Sequence, residues 1–328
     1  MATYRAALIG AGIIARNHLD ALGRLQELTA SAVADTDELK GRQVASEYGI
    51  THYPDYKEMV IKERPDIVII ALPHHLHEAC AVWCAEQGCH LLLEKPMALN
   101  VSECNAILDA VASSRVKLMV GHTQHYWPAN LQAKELIQSG KLGKLIAIHD
   151  TRHLFYYGDG RPSWFFEKDK AGGGILMNLG AHSIDKIQWL TGSRVKSVKA
   201  SLTYEGRMGD VEGSGCIFLQ TTSNVTAVII QSGYEGVAKD ETELIFSNGM
   251  AKLISAKGLW VSKGGQYEQV KPIVKEDPFV LQFKDLLRAI QCDQDPDSSG
   301  VYARSVIAAL EAVYHSDEKG VEISVEPK

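Results

Sequence analysis

Apolar positions follow two regimes along this chain, and the change between them falls near residue 122. Before it, short runs apolar at nearly every position alternate with stretches of helical period. Residues 4–9, 29–34, 66–71, 89–93 and 117–120 read as strands buried on both faces of a parallel sheet. Helical patterns follow Ile13 and cover 37–48, 55–63, 76–87 and 101–114. Strand and helix alternating at this interval predict a doubly wound α/β sheet. After residue 122 the period changes. Residues 129–139 read as a helix and 144–152 as a strand, and 153–174 form a long irregular stretch rich in aromatics. A helix then starts after Gly172-Gly173-Gly174. Beyond Gly192 apolar and polar residues alternate over 198–204, 211–220, 224–231, 241–247 and 251–255, with Ser-Asn-Gly at 247–249 as a turn. This predicts one large, mostly antiparallel sheet, covered on one face by the preceding helix. Its other face is apolar enough to need a cover, which points to a homodimer or homotetramer formed through it. Helices over 278–289 and 300–315 close the chain. The predicted domains are 1–122 and 123–328.

Length agrees with two domains, because 328 residues exceed one compact α/β core. Apolar residues make up 45% and charged residues 23%, the usage of an ordinary soluble protein. The net charge of −6 comes without a basic cluster, which argues against a nucleic-acid partner. The first residues run straight into the first strand, with neither a signal-peptide pattern nor an apolar run of membrane-spanning length, so a cytoplasmic protein with no membrane partner is expected. Cysteines 80, 84, 89, 104, 216 and 292 lack paired zinc-site spacing and read as buried, reduced thiols.

Candidate chemistry starts at Gly10-Ala11-Gly12-Ile13-Ile14-Ala15, between the first strand and the first helix. The spacing is the dinucleotide-binding form G-x-G-x-x-G/A. The first glycine allows a tight turn, the second lets backbone approach a pyrophosphate, and the small sixth residue lets helix and strand pack closely. Free N–H groups and the positive end of the helix then face the phosphates. Asp35 ends the second strand, where a carboxylate can accept from both ribose hydroxyls and repel a 2′-phosphate. Thr36-Asp37 follow instead of an arginine, so NAD is favoured over NADP. Asp35 also suits a helix N-cap. Pro73-His74-His75-Leu76-His77 place three histidines in four residues, but without partnering carboxylates or thiols they read as lining beside the cofactor, and no metal is predicted. Leu91-Leu92-Leu93 run into Glu94-Lys95-Pro96. The proline restricts Lys95, which sits beyond a strand's carboxyl end and can donate to a substrate oxygen.

In the second half, the aromatic stretch is long enough to wall a pocket, and His153, Tyr156 and Trp164 are its candidate substrate contacts. Asn178, His182 and Asp185 share a helix face, so an acid–base role for His182, oriented by the neighbouring carboxylate, is predicted.

With these motifs the chain resembles, nearly end to end, the Gfo/Idh/MocA family of glucose–fructose oxidoreductases, inositol dehydrogenases and their relatives. The resemblance rests on Gly10 to Ala15, Asp35, Pro73 with His77, Glu94-Lys95-Pro96, and Gly172 to Gly174 followed by Asn178, His182 and Asp185. It implies a Rossmann domain for NAD and a substrate domain whose open sheet builds dimers or tetramers. It implies that Lys95 contacts both cofactor and substrate hydroxyl, that His182 is the acid–base, and that the two converge over a nicotinamide ring. The cofactor set is then Gly10, Gly12, Ile13, Ile14, Asp35, Pro73, His77, Glu94 and Lys95. The substrate set is Lys95, His153, Tyr156, Trp164, Asn178 and His182. Two departures stand out: Asn178 replaces the aspartate common in the family and cannot take a proton, and Gln124-His125 stand where relatives often have an arginine. The expected activity is an NAD-dependent dehydrogenase, or in reverse a reductase, of a secondary alcohol of a sugar, cyclitol or sugar derivative. An NAD-binding regulator without chemistry, and a glycosidase that transiently oxidises its substrate, are the competing readings.

Overall fold

The computed structural model describes residues 3–254, 257–273 and 276–325, which divide into two units. In the first, β1 (Tyr4–Ile9), β2 (Leu28–Ala34), β3 (Thr51–Tyr53), β4 (Ile67–Ile70), β5 (His90–Leu93) and β6 (Leu118–Val120) form one sheet in the order β3-β2-β1-β4-β5-β6. Every pairing in it is parallel. Helices α1 (Ile13–Leu22), α2 (Glu38–Tyr48), α3 (Tyr56–Glu63), α4 (His77–Glu86) and α5 (Val101–Ser114) make the crossovers. Ile67 to Ile70 and Leu91 to Leu93 are fully buried, as expected for central strands covered on both faces. Strand order reverses at β1, between β2 and β4, the switch point at which open α/β sheets bind ligands. The three-residue β3 is too short to have shown a periodicity.

Nine strands form the sheet of the second unit. After α6 (Pro128–Ser139) come β7 (Leu145–His153), the one-turn α7 (Lys168–Ala171) and α8 (Ala181–Thr191). Then follow β8 (Val195–Thr203), β9 (Ser214–Thr221), β10 (Thr226–Ser232), β11 (Lys239–Phe246), β12 (Gly249–Ile254), β13 (Gly258–Lys263) and β14 (Gln266–Gln269). With β15 (Ile323–Ser324) the order is β14-β13-β12-β11-β7-β10-β9-β8-β15, antiparallel except for β10 beside β7. Of the strand read over 251–255, Ser255 lies outside the described residues. The strand read from residue 211 begins at Ser214 instead. The backbone before it is drawn away: Val211 O accepts from the Tyr157 hydroxyl and Glu212 O from Ile175 N.

One boundary differs from the predicted 123–328. Glu276–Arg304 cluster with the first unit, and the second resumes at Ser305. These residues hold α9 (Pro278–Cys292) and the start of α10 (Gly300–Lys319). Phe279 and Phe283 of α9 meet the His18 ring edge-on at 5.3 and 5.8 Å, and Ser299 bridges to Met119 beside β6. Periodicity marks α9 as amphipathic but carries no information on which unit takes its apolar face.

Helix α8 covers one face of the large sheet with apolar and polar side chains alike. Its Lys186 is fully buried and donates to Asp150 Oδ1 of β7 at 2.8 Å and to Thr242 Oγ1 of β11 at 2.7 Å. Beside it Arg152 donates to Asp240 at 2.6 Å. Burial raises the Asp150 carboxyl, but the charges of Lys186 and Arg152 outweigh it and hold the group below its ordinary range. On the other face Phe218 and Ile230 are exposed, with Val228 directly opposite Phe218. Four of the six cysteines are buried and free, whereas Cys216 and Cys292 are exposed, the latter two against expectation. Among the described residues no helix is long and apolar enough to cross a membrane.

Removing one partner of a buried ion pair strands the other charge in a medium that cannot solvate it. Lys186→Ala is therefore expected to lower unfolding free energy by about 3–5 kcal/mol in urea titrations, far more than an exposed lysine such as Lys263→Ala.

Candidate active site

The cofactor end of the first unit is built from strand ends. Gly10 adopts φ +100°, and a Cβ there would collide with the Ala71 carbonyl at the end of β4. Helices α2, α3 and α5 are capped by the side chains of Asp37, Asp55 and Asn100. Helix α1 is different: Gly12 at its N-cap offers no side chain, no acid stands in the first turn, and nothing lies within 4 Å of where a Gly12 Cβ would be. Ile13 is apolar yet 90% exposed. A helix start with open space and uncommitted polarity fits a pyrophosphate.

Asp35 is positioned by backbone. Its Oδ2 accepts from Ala11 N at 2.7 Å and its Oδ1 from Asp37 N at 2.8 Å. The carboxylate thus ties the glycine turn to the end of β2, and each oxygen keeps a lone pair for a ribose hydroxyl. Capping of α2 falls to Asp37, whose side chain accepts from Lys40 N, so Asp35 is not the N-cap. These residues fit the adenosine half of a dinucleotide.

Glu94 holds the Glu94-Lys95-Pro96 turn from inside. Its Oε1 accepts from His18 Nε2 of α1 at 2.8 Å, and its Oε2 accepts from Lys95 N at 3.2 Å. Gly121 is needed beside it, because a Cβ there would stand 3.0 Å from the carboxylate. Burial raises the Glu94 carboxyl, but the hydrogen bond and charge supplied by His18, together with the Lys95 charge, hold it below its ordinary value. His77 is the second brace. Its Nδ1 faces Pro96 O and its Nε2 faces Leu72 O, both at 2.9 Å. Two carbonyls want two donors, whereas burial pushes the imidazole down towards its neutral, single-donor form. His77, expected among the cofactor contacts, is fully buried, and its ring ties the Pro96 carbonyl to that of Leu72. The peptide between Lys95 and Pro96 is cis. Among the described residues no group of three or more His, Cys, Asp or Glu could hold a metal ion.

In the second unit Asn178 lies on a π-helical segment, Leu176–Gly180, that runs directly into α8 with His182. Such insertions alter the spacing of side chains and recur at functional sites. The equal-face argument for residues 178, 182 and 185 assumed an uninterrupted α-helix. Asp185, one turn beyond His182 within α8, is fully buried, and its Oδ1 meets His125 Nε2 at 2.7 Å. The His125 ring stacks on Trp189 at 4.9 Å. The neighbouring Gln124 donates to the His182 carbonyl at 3.0 Å and is itself held by Asn130 at 2.7 Å. The Gln124-His125 pair that departs from the family pattern thus braces the helix bearing His182.

Of the expected substrate wall, His153 lines a cavity of about 510 Å³ with Arg152, Leu154, Leu179 and Asp240. Tyr156 has no exposed surface, so its place in the wall is corrected. Its hydroxyl donates to Phe165 O at 3.3 Å, and the Asn178 side chain is within hydrogen-bonding reach. Arg161 covers its ring at 4.2 Å. Trp164 is half-buried and stacks on Phe165 at 3.7 Å. His18 and Glu212 were missed from sequence, whereas His125 was noted only as a departure from the family pattern.

A parallel sheet with this glycine turn and acid defines a dinucleotide-binding oxidoreductase fold. The model for the oxidoreductase family with an NAD-binding Rossmann fold matches residues 4–122, and that for the GFO/IDH/MocA C-terminal domain matches residues 130–252. The chain belongs to the Gfo/Idh/MocA oxidoreductase family. It is 25% identical to inositol 2-dehydrogenase 1 of Saccharopolyspora erythraea, over 99% of this chain and 97% of that one. It is 26% identical to D-xylose 1-dehydrogenase (NADP(+)) 2 of Haloferax volcanii, over 96% and 98%. The aldose-aldose oxidoreductase of Caulobacter crescentus shares the fold at TM-score 0.90 and 24% identity, covering 98% of this chain and 99% of that one. The WlbA dehydrogenase of Bordetella pertussis, solved with NADH and UDP-GlcNAcA, does so at 0.86 and 22%, covering 99% and 100%.

A carboxyl whose pKa is lowered by folding stabilises the native state above its unfolded value, and that contribution fades as pH falls through the folded value. Glu94 therefore supports the first unit at neutral pH and loses its grip below the ordinary 4.5. Urea unfolding of Glu94→Gln is expected to show lower stability at neutral pH and a shallower loss on acidification than the parent chain.

Proposed function

We propose that this chain is an NAD-dependent dehydrogenase, or in reverse a reductase, acting on a secondary alcohol of a sugar, cyclitol or sugar derivative. The observation that carries the reading is Lys95, presented beyond the carboxyl end of β5 on a turn held by Glu94, in a unit whose glycine turn and Asp35 suit a dinucleotide. Full-length similarity to relatives named for inositol and xylose supports the substrate class.

Bound NAD supplies the hydride acceptor, chemistry that belongs to the cofactor. Gly10, Gly12, Ile13 and Ile14 form its pyrophosphate cradle, and Asp35 takes the ribose hydroxyls. Asp35 also supports NAD over NADP, because a 2′-phosphate would meet a carboxylate that two amides already fix in place. Lys95 donates to the substrate oxygen and stabilises charge that develops there. His182 takes or returns the hydroxyl proton. Asn178 has no proton to exchange at neutral pH and serves by orienting the substrate, and His153 adds a contact from the cavity wall. Exposed Phe218 and Ile230, with half-buried Val228 opposite Phe218, support a homodimer or homotetramer formed through the large sheet.

The test is absorbance of NADH on mixing the chain with NAD or NADP and a panel of myo-inositol, D-glucose, D-xylose and nucleotide sugars. A rise with at least one of them, and faster with NAD, is expected; no reduction with any would reject the dehydrogenase. Lys95→Ala is expected to lower kcat by about 10²–10³-fold while NADH still binds, as read by its fluorescence. His182→Asn should slow turnover, read as a lower kcat, while NADH still binds. In Asp35→Ser the preference for NAD over NADP should shrink, read as the ratio of kcat/KM values.

A further inference from the structure

The helix carrying Asn178 and His182 begins without a cap of its own. Residues 172–174 are all glycine, so no side chain precedes it to accept from the first free amides. Those amides are satisfied from a distance. Glu212, on the loop before β9, accepts from Gly174 N through Oε2 and from Leu176 N through Oε1, both at 2.8 Å. Its main-chain oxygen takes Ile175 N at 3.2 Å. Three consecutive N–H groups therefore end on one residue, and Asn178 N closes the next turn on Gly174 O at 3.1 Å.

The fit explains the glycines. A Cβ at Gly174 would collide with Glu212 O, and one at Gly173 with the Tyr314 hydroxyl. That hydroxyl donates to Glu212 Oε1 at 3.0 Å, so α10 closes the site. The arrangement is costly, because Glu212 is only 1% exposed and burial pushes its carboxyl up against the amide bonds that favour the charge. Four other helices of this chain use a local Asp or Asn at the N-cap. A local cap would have done for stability alone. A remote one also fixes where the helix starts relative to the sheet. The loop reaches Asn178 a second way: Gly233 N donates to Gly213 O at 2.7 Å, and Tyr156 N donates to Gly233 O at 2.8 Å. Tyr156 then lies within hydrogen-bonding reach of Asn178.

We propose that Glu212 is a positioning residue for the reaction, setting the axial position of the turn that presents Asn178 and leads into His182. This rests on the roles given to those two residues above. Glu212 touches neither substrate nor cofactor and acts only through them. Displacements of about 1 Å at a reacting group cost on the order of 10²-fold in rate, so a small slip of this helix would register in turnover before it registered in folding.

The experiment compares Glu212→Gln, Glu212→Asp and Glu212→Ala in the full chain with NAD added. Glutamine keeps the length but offers one acceptor oxygen and sets an NH₂ against an amide N–H. Amide exchange over residues 174–178 is expected to rise about tenfold in Glu212→Gln, with the rest of the second unit unchanged. With whichever member of the panel above the parent chain oxidises, kcat should fall about tenfold to a hundredfold while KM for NAD stays level. Aspartate keeps both acceptors and should restore part of kcat. If the alanine variant does not fold, the other two decide. Unchanged exchange overturns the cap, and faster exchange with unchanged kcat overturns the positioning role. Should the parent chain oxidise no member of that panel, the dehydrogenase reading fails, and exchange alone decides whether Glu212 holds the Asn178 turn.

Discussion

Carboxylates, buried or half-buried, that accept backbone amides are the constraint on which the geometry of both units depends. Loops and helix ends expose N–H groups that secondary structure cannot satisfy, and an acceptor-only side chain placed among them fixes the backbone geometry. Asp35 does this for the glycine turn, Glu94 for the Lys95 turn and Glu212 for the helix that bears Asn178 and His182. Each is far in sequence from at least one of its partners. Each holds a segment whose own residues, glycine or proline, contribute little that would anchor them.

Histidines supply the complementary half of this design. Three of the twelve in the chain are tied into the framework. His18 donates to Glu94, His77 spans two carbonyls, and His125 meets Asp185. All three are buried. Their rings carry two polar atoms on a flat, packable body, which suits them to bracing strand ends. Of the three histidines at 74, 75 and 77, read together as lining beside the cofactor, His77 is buried with its ring on two carbonyls.

Much of this was legible in the sequence, and the reasons are specific. The triple leucine before Glu94 and the proline after Lys95 announce a buried strand and a restricted turn from local chemistry. So does the spacing of Gly10 and Gly12. The alternation after Gly192 announces the sheet. What stayed hidden depends on partners distant in the chain. Nothing near Glu212 distinguishes a capping acid from a solvated loop residue. Nothing in the period of α9 tells which unit it joins. A π-helical turn hides for a different reason: its i to i+5 bonds leave no mark in a pattern read at i+4, so Asn178 and His182 were read at the spacing of an uninterrupted α-helix.

The most direct measurement follows the hydrogen itself. The chain is incubated with NAD and polyols deuterated at their carbon-bound positions, and the reduced cofactor is weighed by mass spectrometry. A hydride dehydrogenase that depends on Lys95 predicts one deuterium in each reduced cofactor, formed at least about a hundredfold more slowly by Lys95→Ala. Reduced cofactor without deuterium, or equal rates from the two chains, would contradict the account.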